Sequence, residues 1–269
     1  MSLLRAWLTS CLLLLAACDG AGQNELTFTG SSTVAPVMAE LAAAYENRHD
    51  DWRIDVQSGG SSRGIRDVRQ GLADAGLISR RLTPDEQTLT THTLAYDGIA
   101  LIVHANNPIV SLDKKSVRRI YRGEVSNWSE LGGANRPVVV VNKAAGRATL
   151  KVFQRHFELK NQAIKADLVA GENQQVIQTV ARNRAAIGYV SIGTAEYGQQ
   201  DGSAIKLLPL HDVAATTANL QQGEYPLSRP LNIVTQGQPG EALSTFMEFW
   251  QTPAAADIIR QHYFVPATP

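Results

Sequence analysis

The chain has 269 residues, 25 Lys+Arg against 25 Asp+Glu, and 44% hydrophobic residues. That length holds one large or two smaller cores, and the neutral balance offers no global field for nucleic acid or anionic lipid. Two cysteines and six dispersed histidines, with no helical metal-ligand spacing, exclude a disulfide scaffold and argue against a zinc, haem or other metal site.

The first seventeen residues read as a secretory signal, not as fold. Arg5 gives a positive start, and the apolar run through Leu12 and Leu15 is too short to span a bilayer comfortably. It ends in Leu15-Ala-Ala-Cys18, which resembles a bacterial lipobox: cleavage before Cys18, then lipid on its thiol and new amino group. Cys11 would leave with the signal. Asp19 resembles a signal for retention at the inner membrane. If the lipobox is not used, the same signal delivers a secreted or periplasmic chain. Residues 18–24 then form the lipidated cysteine and a tether.

The fold begins with Leu26-Thr-Phe-Thr-Gly30, where Leu26 and Phe28 alternate as in a half-buried strand. Gly30 turns the chain, Ser31, Ser32 and Thr33 offer hydroxyls, and Pro36 suits a first helical turn. Val37, Met38, Leu41 and Tyr45 make an apolar stripe. The device repeats at Ile54-Asp-Val-Gln-Ser-Gly-Gly-Ser-Ser-Arg-Gly-Ile65. A strand stops at Gly59-Gly60, Ser61 and Ser62 sit at the N-cap, and Ile65, Val68 and Leu72 follow at helical spacing. An ordinary capped helix explains one such corner. Two of them point two helix N-termini, with their free N–H groups and partial positive charge, at one small anion.

A short apolar strand ends at Ser79-Arg80-Arg81, and Thr83-Pro-Asp-Glu86 reads as a capped turn. Ile99–His104 is a buried strand, Lys115–Arg122 an exposed basic helix, and Val138–Val141 a strand covered on both faces. That strand runs through Lys143-Ala-Ala-Gly-Arg-Ala-Thr149 into a helix with Leu150, Phe153 and Phe157 inward. A helix over 173–182, a strand over 186–190, strands near 207–210 and 231–235, and helices over 241–250 and 254–261 complete the chain. Alternating strands and helices predict α/β layers with largely parallel sheets, whose ligands bind beyond the carboxyl ends of the strands. Both serine-rich corners, Arg80 and the Lys143–Thr149 turn fall there.

An enzyme reading has one foothold. Gly60-Ser-Ser-Arg-Gly64 matches the nucleophile elbow of α/β-hydrolases, with Ser62 central. A triad would need Asp212 or Asp257 with His262. No HGGG-type segment precedes it, and a hydrolase leaves the duplicated corner unexplained.

The runs Thr29-Gly-Ser-Ser-Thr-Val-Ala-Pro36, Gly59-Gly-Ser-Ser-Arg-Gly-Ile65 and Gly71–Arg80 together resemble the phosphate-binding component of the high-affinity phosphate ABC transporter. Gly98–Val103, Ile120-Tyr-Arg-Gly123, Asn127-Trp128, Ala186–Val190 and Tyr225–Leu231 extend the resemblance over nearly all of the mature chain. It implies the two-lobed periplasmic-binding-protein-like type II fold, an α/β architecture with two crossover hinge strands near 98–103 and 231–235. Lobe 1 would hold 25–97, lobe 2 98–232, and 233–269 would return to lobe 1. The implied molecule is a monomeric receptor without catalysis or cofactor. It would bind inorganic phosphate between its lobes and deliver it to an ABC permease in the inner membrane. The implied ligand residues are Ser32, Thr33, Val34, Ser61, Ser62, Arg80, Lys143, Arg147, Ala148 and Thr149.

The last stretch departs from the family's Arg-x-x-Gly-Ser-Gly-Thr: Lys143 replaces Arg, Arg147 replaces Ser and Ala148 replaces Gly. Lys acts as a point charge where Arg grips two oxygens. Some members carry Asp where Arg80 stands, and a carboxylate there accepts the proton of hydrogen phosphate. Without it, sulfate or another tetrahedral oxyanion is the alternative ligand, and sensing the alternative role.

Overall fold

The structure, a computed structural model, describes residues 24–267, so the signal segment and Cys18 lie outside the described residues. In chain order the elements are β1 (Asn24–Gly30), α1 (Ala35–Glu46), β2 (Trp52–Ser58), α2 (Ser61–Arg69), β3 (Ala75–Ile78) and the long β4 (Thr90–His104). Then come α3 (Lys114–Tyr121), β5 (Val139–Lys143), α4 (Ala148–Phe157), β6 (Leu168–Ala170), α5 (Asn173–Arg182), β7 (Ala186–Ser191) and α6 (Ile192–Gln200). β8 (Ile205–Leu208), α7 (Thr217–Gln221), β9 (Ser228–Thr235), α8 (Glu241–Trp250), α9 (Pro253–Gln261) and β10 (Val265–Pro266) close the chain.

The strands run β2-β1-β3-β9-β4-β7-β5-β6, with β8 and β10 also on β4. β1, β2 and β3 are parallel, as are β5, β6 and β7, but β4, β8, β9 and β10 pair antiparallel. The sheets are therefore mixed. β4 belongs to both halves. Its Thr90–Gly98 stretch pairs β9, and its Ile99–His104 stretch pairs β7 and β8. In the stretch expected from the sequence to be a crossover, 231–235, β9 pairs β3 from Asn232, and at Ser228 it pairs Gly98 of β4.

Two large cores form on either side of this crossing. One packs Phe28, the α1 stripe Val37, Met38, Leu41 and Tyr45, and Phe246 and Trp250 of α8. The other packs Ile99, Leu101 and Val103 of β4 with Trp128, Phe153, Phe157 and Tyr189. The Phe153 and Tyr189 rings stack at 3.8 Å between centroids. Leu72 is not on the α2 stripe: the helix ends at Arg69, Gly71 takes a φ of +67°, and Leu72 is 66% exposed. The layers bring four helix N-termini, those of α1, α2, α4 and α5, toward the crossing strands. Among the described residues, no helix is long and apolar enough to cross a membrane.

Candidate functional site

Each corner is cut to let the chain come close. Gly30 has a φ of +137°, and a Cβ there would fall 2.3 Å from the carbonyl oxygen of Leu77. Gly60, the residue before α2, has a φ of +92°, and a Cβ there would fall 2.9 Å from Cδ of Arg147 and 3.1 Å from the carbonyl of Gly146. Ser61 and Ser62 are thus the first residues of α2, one step inside the helix from the expected cap.

Hydroxyls from both corners meet behind these glycines. Ser31 Oγ lies 2.9 Å from Ser79 Oγ and accepts the Thr33 N–H at 3.2 Å. Ser61 Oγ accepts the N–H of Ser79 at 3.2 Å. All four residues are buried.

Arg229, on β9, is the cation that organises this cluster. Its Nη1 donates to Thr149 Oγ1 at 3.0 Å and to Ser79 Oγ at 3.3 Å, and its Nη2 donates to Thr33 Oγ1 at 3.2 Å. Asp97 Oδ2 accepts from its Nε at 3.1 Å and its Nη2 at 2.8 Å. The side chains of this pair are 1% and 0% exposed. Asp97 Oδ1 accepts the N–H of Gly193 at 3.3 Å, so both carboxylate oxygens are occupied.

A second arm reaches the same point from the other half. Asn173, first residue of α5, donates to Thr33 Oγ1 at 3.1 Å, and its Oδ1 accepts from Lys143 Nζ at 2.9 Å. Burial, then the nearby Arg229, bring the Lys143 ammonium down to a pKa of about 7. Buried hydroxyls, two cations and helix N-termini around one point can do one thing well: desolvate and hold a compact oxyanion.

Of the residues named from the sequence, Thr33, Ser61, Lys143 and Thr149 make side-chain or backbone contacts in this cluster, and Ala148 precedes Thr149 at the start of α4. Arg80 does not join the cluster. Its guanidinium turns away and makes a buried bidentate pair with Glu86 at 2.6 and 2.8 Å. Arg147 also turns outward: Nη1 donates to Glu172 Oε1 at 2.8 Å, and Ser58 Oγ lies 3.2 Å from Glu172 Oε2. Val34 gives its N–H to the carbonyl of Ser31 at 3.1 Å, and its side chain is core. Ser32 lines an adjoining cavity of about 620 Å³ shared with Thr33, Pro36, Asn173 and Phe264. Ser62 donates its N–H to the carbonyl of Gly146 at 3.2 Å, a backbone bond across the cleft. The hydrolase triad is not assembled: His262 Nε2 pairs with Glu40 at 2.7 Å, and Asp257 with Arg260 at 2.6 Å.

Sequence reasoning named Ser31 as a corner hydroxyl but left it out of the implied ligand set, and it missed Ser79, Asp97, Asn173 and Arg229 as members of the cluster. Among the described residues, no three His, Cys, Asp or Glu side chains are placed to hold a metal ion.

Comparison with known proteins identifies the fold family. Residues 16–253 match a family model described as a PBP superfamily domain. A structure reported as a phosphate ABC transporter substrate-binding protein from Clostridium perfringens, with bound phosphate, superposes with a TM-score of 0.84 at 30% identity. That superposition covers 91% of this chain and 100% of that one. An ABC-type phosphate transport receptor from Vibrio cholerae gives 0.73 at 30% identity, over 91% of this chain and 100% of that one. The phosphate-binding protein PstS of Bacillus subtilis is 23% identical over 278 residues, 96% of this chain and 91% of the relative.

Proposed function

The chain belongs to the PBP superfamily, and on that premise we propose that it is an extracytoplasmic receptor for inorganic phosphate. The observation that carries this is the buried Arg229, with Thr33, Ser79 and Thr149 on its free edge. Phosphate takes the place of some of those contacts, and Arg229 presents two parallel N–H groups to it. Lys143 adds a point charge, and the first N–H groups of α2 and α4, at Ser61 and Ala148, add donors with no intrahelical partner. The hinge lies where β4 changes sheets, at Gly98, and where β9 begins, at Ser228. Lobe 1 is then 24–97 with 228–267, and lobe 2 is 98–227. Closure delivers a desolvated anion to an ABC permease. Cys18 supplies the lipid anchor. The protein is a monomer without a catalytic step.

Arg147 acts in this reading as a latch, not a ligand group. It fills the position where the family shows Ser, and it holds Glu172 against Ser58 across the cleft. Glu172→Gln is expected to speed phosphate release five- to tenfold, about 1–1.4 kcal/mol for a part-exposed charged contact. Stopped-flow release would show it, with the association rate unchanged.

Titration calorimetry of anion-free protein with phosphate and then sulfate tests the ligand. Micromolar or tighter phosphate binding supports the receptor, and no binding of either anion ends it. A second reading, a less selective oxyanion receptor, rests on Asp97: its Oδ2 accepts two bonds from Arg229 and its Oδ1 the N–H of Gly193, so its accepting capacity is spent largely on the protein and not on the proton of hydrogen phosphate. Equal binding of the two anions would favour it.

Lys143 sets the expected pH dependence. Its folded pKa of about 7 means that the empty site is losing its ammonium charge near neutrality. A seated anion draws that pKa upward, so binding takes up a proton above pH 7 and affinity falls as pH rises toward 9. Sulfate, which does not titrate in this range, isolates the effect. Lys143→Arg is expected to flatten the sulfate profile, and an unchanged profile would remove Lys143 from the site.

A further inference from the structure

The neutral total conceals two opposed regions. Between Asp113 and Asp167 stand 12 Lys+Arg and 5 Asp+Glu, whereas the remaining described residues carry 12 and 19. Lys143 and Arg147 belong to the cleft. Most of the others form one outer face. On α3, Val117, Ile120 and Tyr121 are buried, so Lys115 and Arg119 project from the opposite side. On α4, Leu150, Phe153 and Phe157 are buried, and Lys151 and Arg155 are exposed.

The two helices lie side by side. The rings of Tyr121 and Phe153 are 4.7 Å apart, and Lys114 and Arg118 both reach Glu158 at the end of α4, at 2.7 and 3.1 Å. The backbone of exposed Lys165 donates to the carbonyl of Tyr121, at the end of α3. Among the described residues, Lys115, Arg119, Lys151, Arg155 and Lys165 make no ion pair, so Glu158 neutralises only part of the face.

The character of the face indicates its partner. Neither helix carries any of the exposed large hydrophobic side chains of the described residues; Val110, just ahead of α3, is the nearest in sequence. A protein interface is centred on buried aromatic or aliphatic anchors, and a single-strand binder stacks bases on aromatics. Long unpaired cations without anchors instead suit a fluid, planar array of negative charge. From this we infer that the α3–α4 face rests electrostatically on anionic phospholipid headgroups. Contact through this face would hold lobe 2 against the membrane, independently of which anion the cleft binds and of any lipid on Cys18.

The test uses the chain from Asp19, which retains both cores whole. It is sedimented with phosphatidylcholine vesicles containing about 30% phosphatidylglycerol, a surface that attracts each nearby Lys or Arg. Binding is expected there at low salt, and not on phosphatidylcholine alone. It should be lost toward about 1 M salt, where the screening length is ~3 Å. The variant Lys115→Glu, Arg119→Glu, Lys151→Glu, Arg155→Glu should bind at least tenfold less, with unchanged melting temperature and anion affinity. A control with Arg48→Glu and Arg53→Glu in the other half should bind as the parent does. Failure of the parent to bind, or equal binding by the reversed variant, overturns the inference. If the reversed variant is misfolded by melting, Lys151→Gln with Arg155→Gln replaces it, and an undiminished affinity is then the overturning result.

Discussion

Arg229→Ala is expected to lower phosphate affinity about 1000-fold, because it removes two charge-assisted donors worth ~1.5–3 kcal/mol each. It should also destabilise the fold. Asp97 is wholly buried, and stripping a buried carboxylate of its cation costs about 3–5 kcal/mol. The two effects separate with partners. Arg229→Met with Asp97→Asn leaves neither member of the pair charged and should regain most of the stability while leaving affinity low. Arg229→Lys keeps the charge but cannot span Thr33, Ser79 and Thr149 at once, so its affinity should fall between the two. Chemical denaturation and calorimetry on the same three variants read both quantities. If the double variant recovers affinity along with stability, Arg229 is a hinge strut and the anion binds elsewhere.

The contrast between Arg229 and Arg80 shows what a sequence can and cannot place. Both follow a serine, as Ser79-Arg80 and Ser228-Arg229. At the first, Ser79 faces the cluster while Arg80 faces Glu86, six residues on. At the second, the arginine faces the cluster. Successive side chains of an extended chain point to opposite faces, and only the register of β3 and β9 in the folded sheet decides which residue of each pair points where. The glycine and serine corners were legible because their chemistry is local: a positive φ, a turn and a helix start lie within a few residues. The apolar stripe of α1 was legible for the same reason. Asn173 and Asp97 were not, since each matters through a partner 30 or more residues away in the chain. The contact of Arg147 was not legible either, because its partner Glu172 stands 25 residues downstream, on the cap of α5. Of the basic face only the Lys115–Arg122 helix was legible; that α4 lies beside it and extends the face was not, since a total charge of zero carries no information about how charge is divided between regions.

Arg80→Ala should do the opposite of most site substitutions: destabilise strongly and leave phosphate affinity within about threefold. The side chains of Arg80 and Glu86 are 4% and 8% exposed, and removing one partner of such a pair costs ~3–5 kcal/mol. Glu86 also accepts the N–H of Thr83 at 2.9 Å, so its carboxylate closes the turn at Pro84–Glu86 as well as holding Arg80. Burial alone would raise its pKa, but the bonds from Arg80 and Thr83 outweigh burial and hold it at about 2, from an ordinary 4.5. A carboxyl lowered on folding stabilises the protein above its unfolded pKa, and that contribution is lost as pH falls from about 4.5 to 2. The shift corresponds to ~3 kcal/mol. In the parent, stability measured by denaturant should therefore decline through that window. In Glu86→Gln the decline should be shallower, because the titrating group is gone. In Arg80→Ala the Glu86 carboxyl loses its strongest donor, and the acid-sensitive window should move upward in pH. A large loss of anion binding in Arg80→Ala, at a pH and temperature where the variant is shown to be folded, would return Arg80 to the site. Retained binding would leave Arg229 as the arginine that the anion meets.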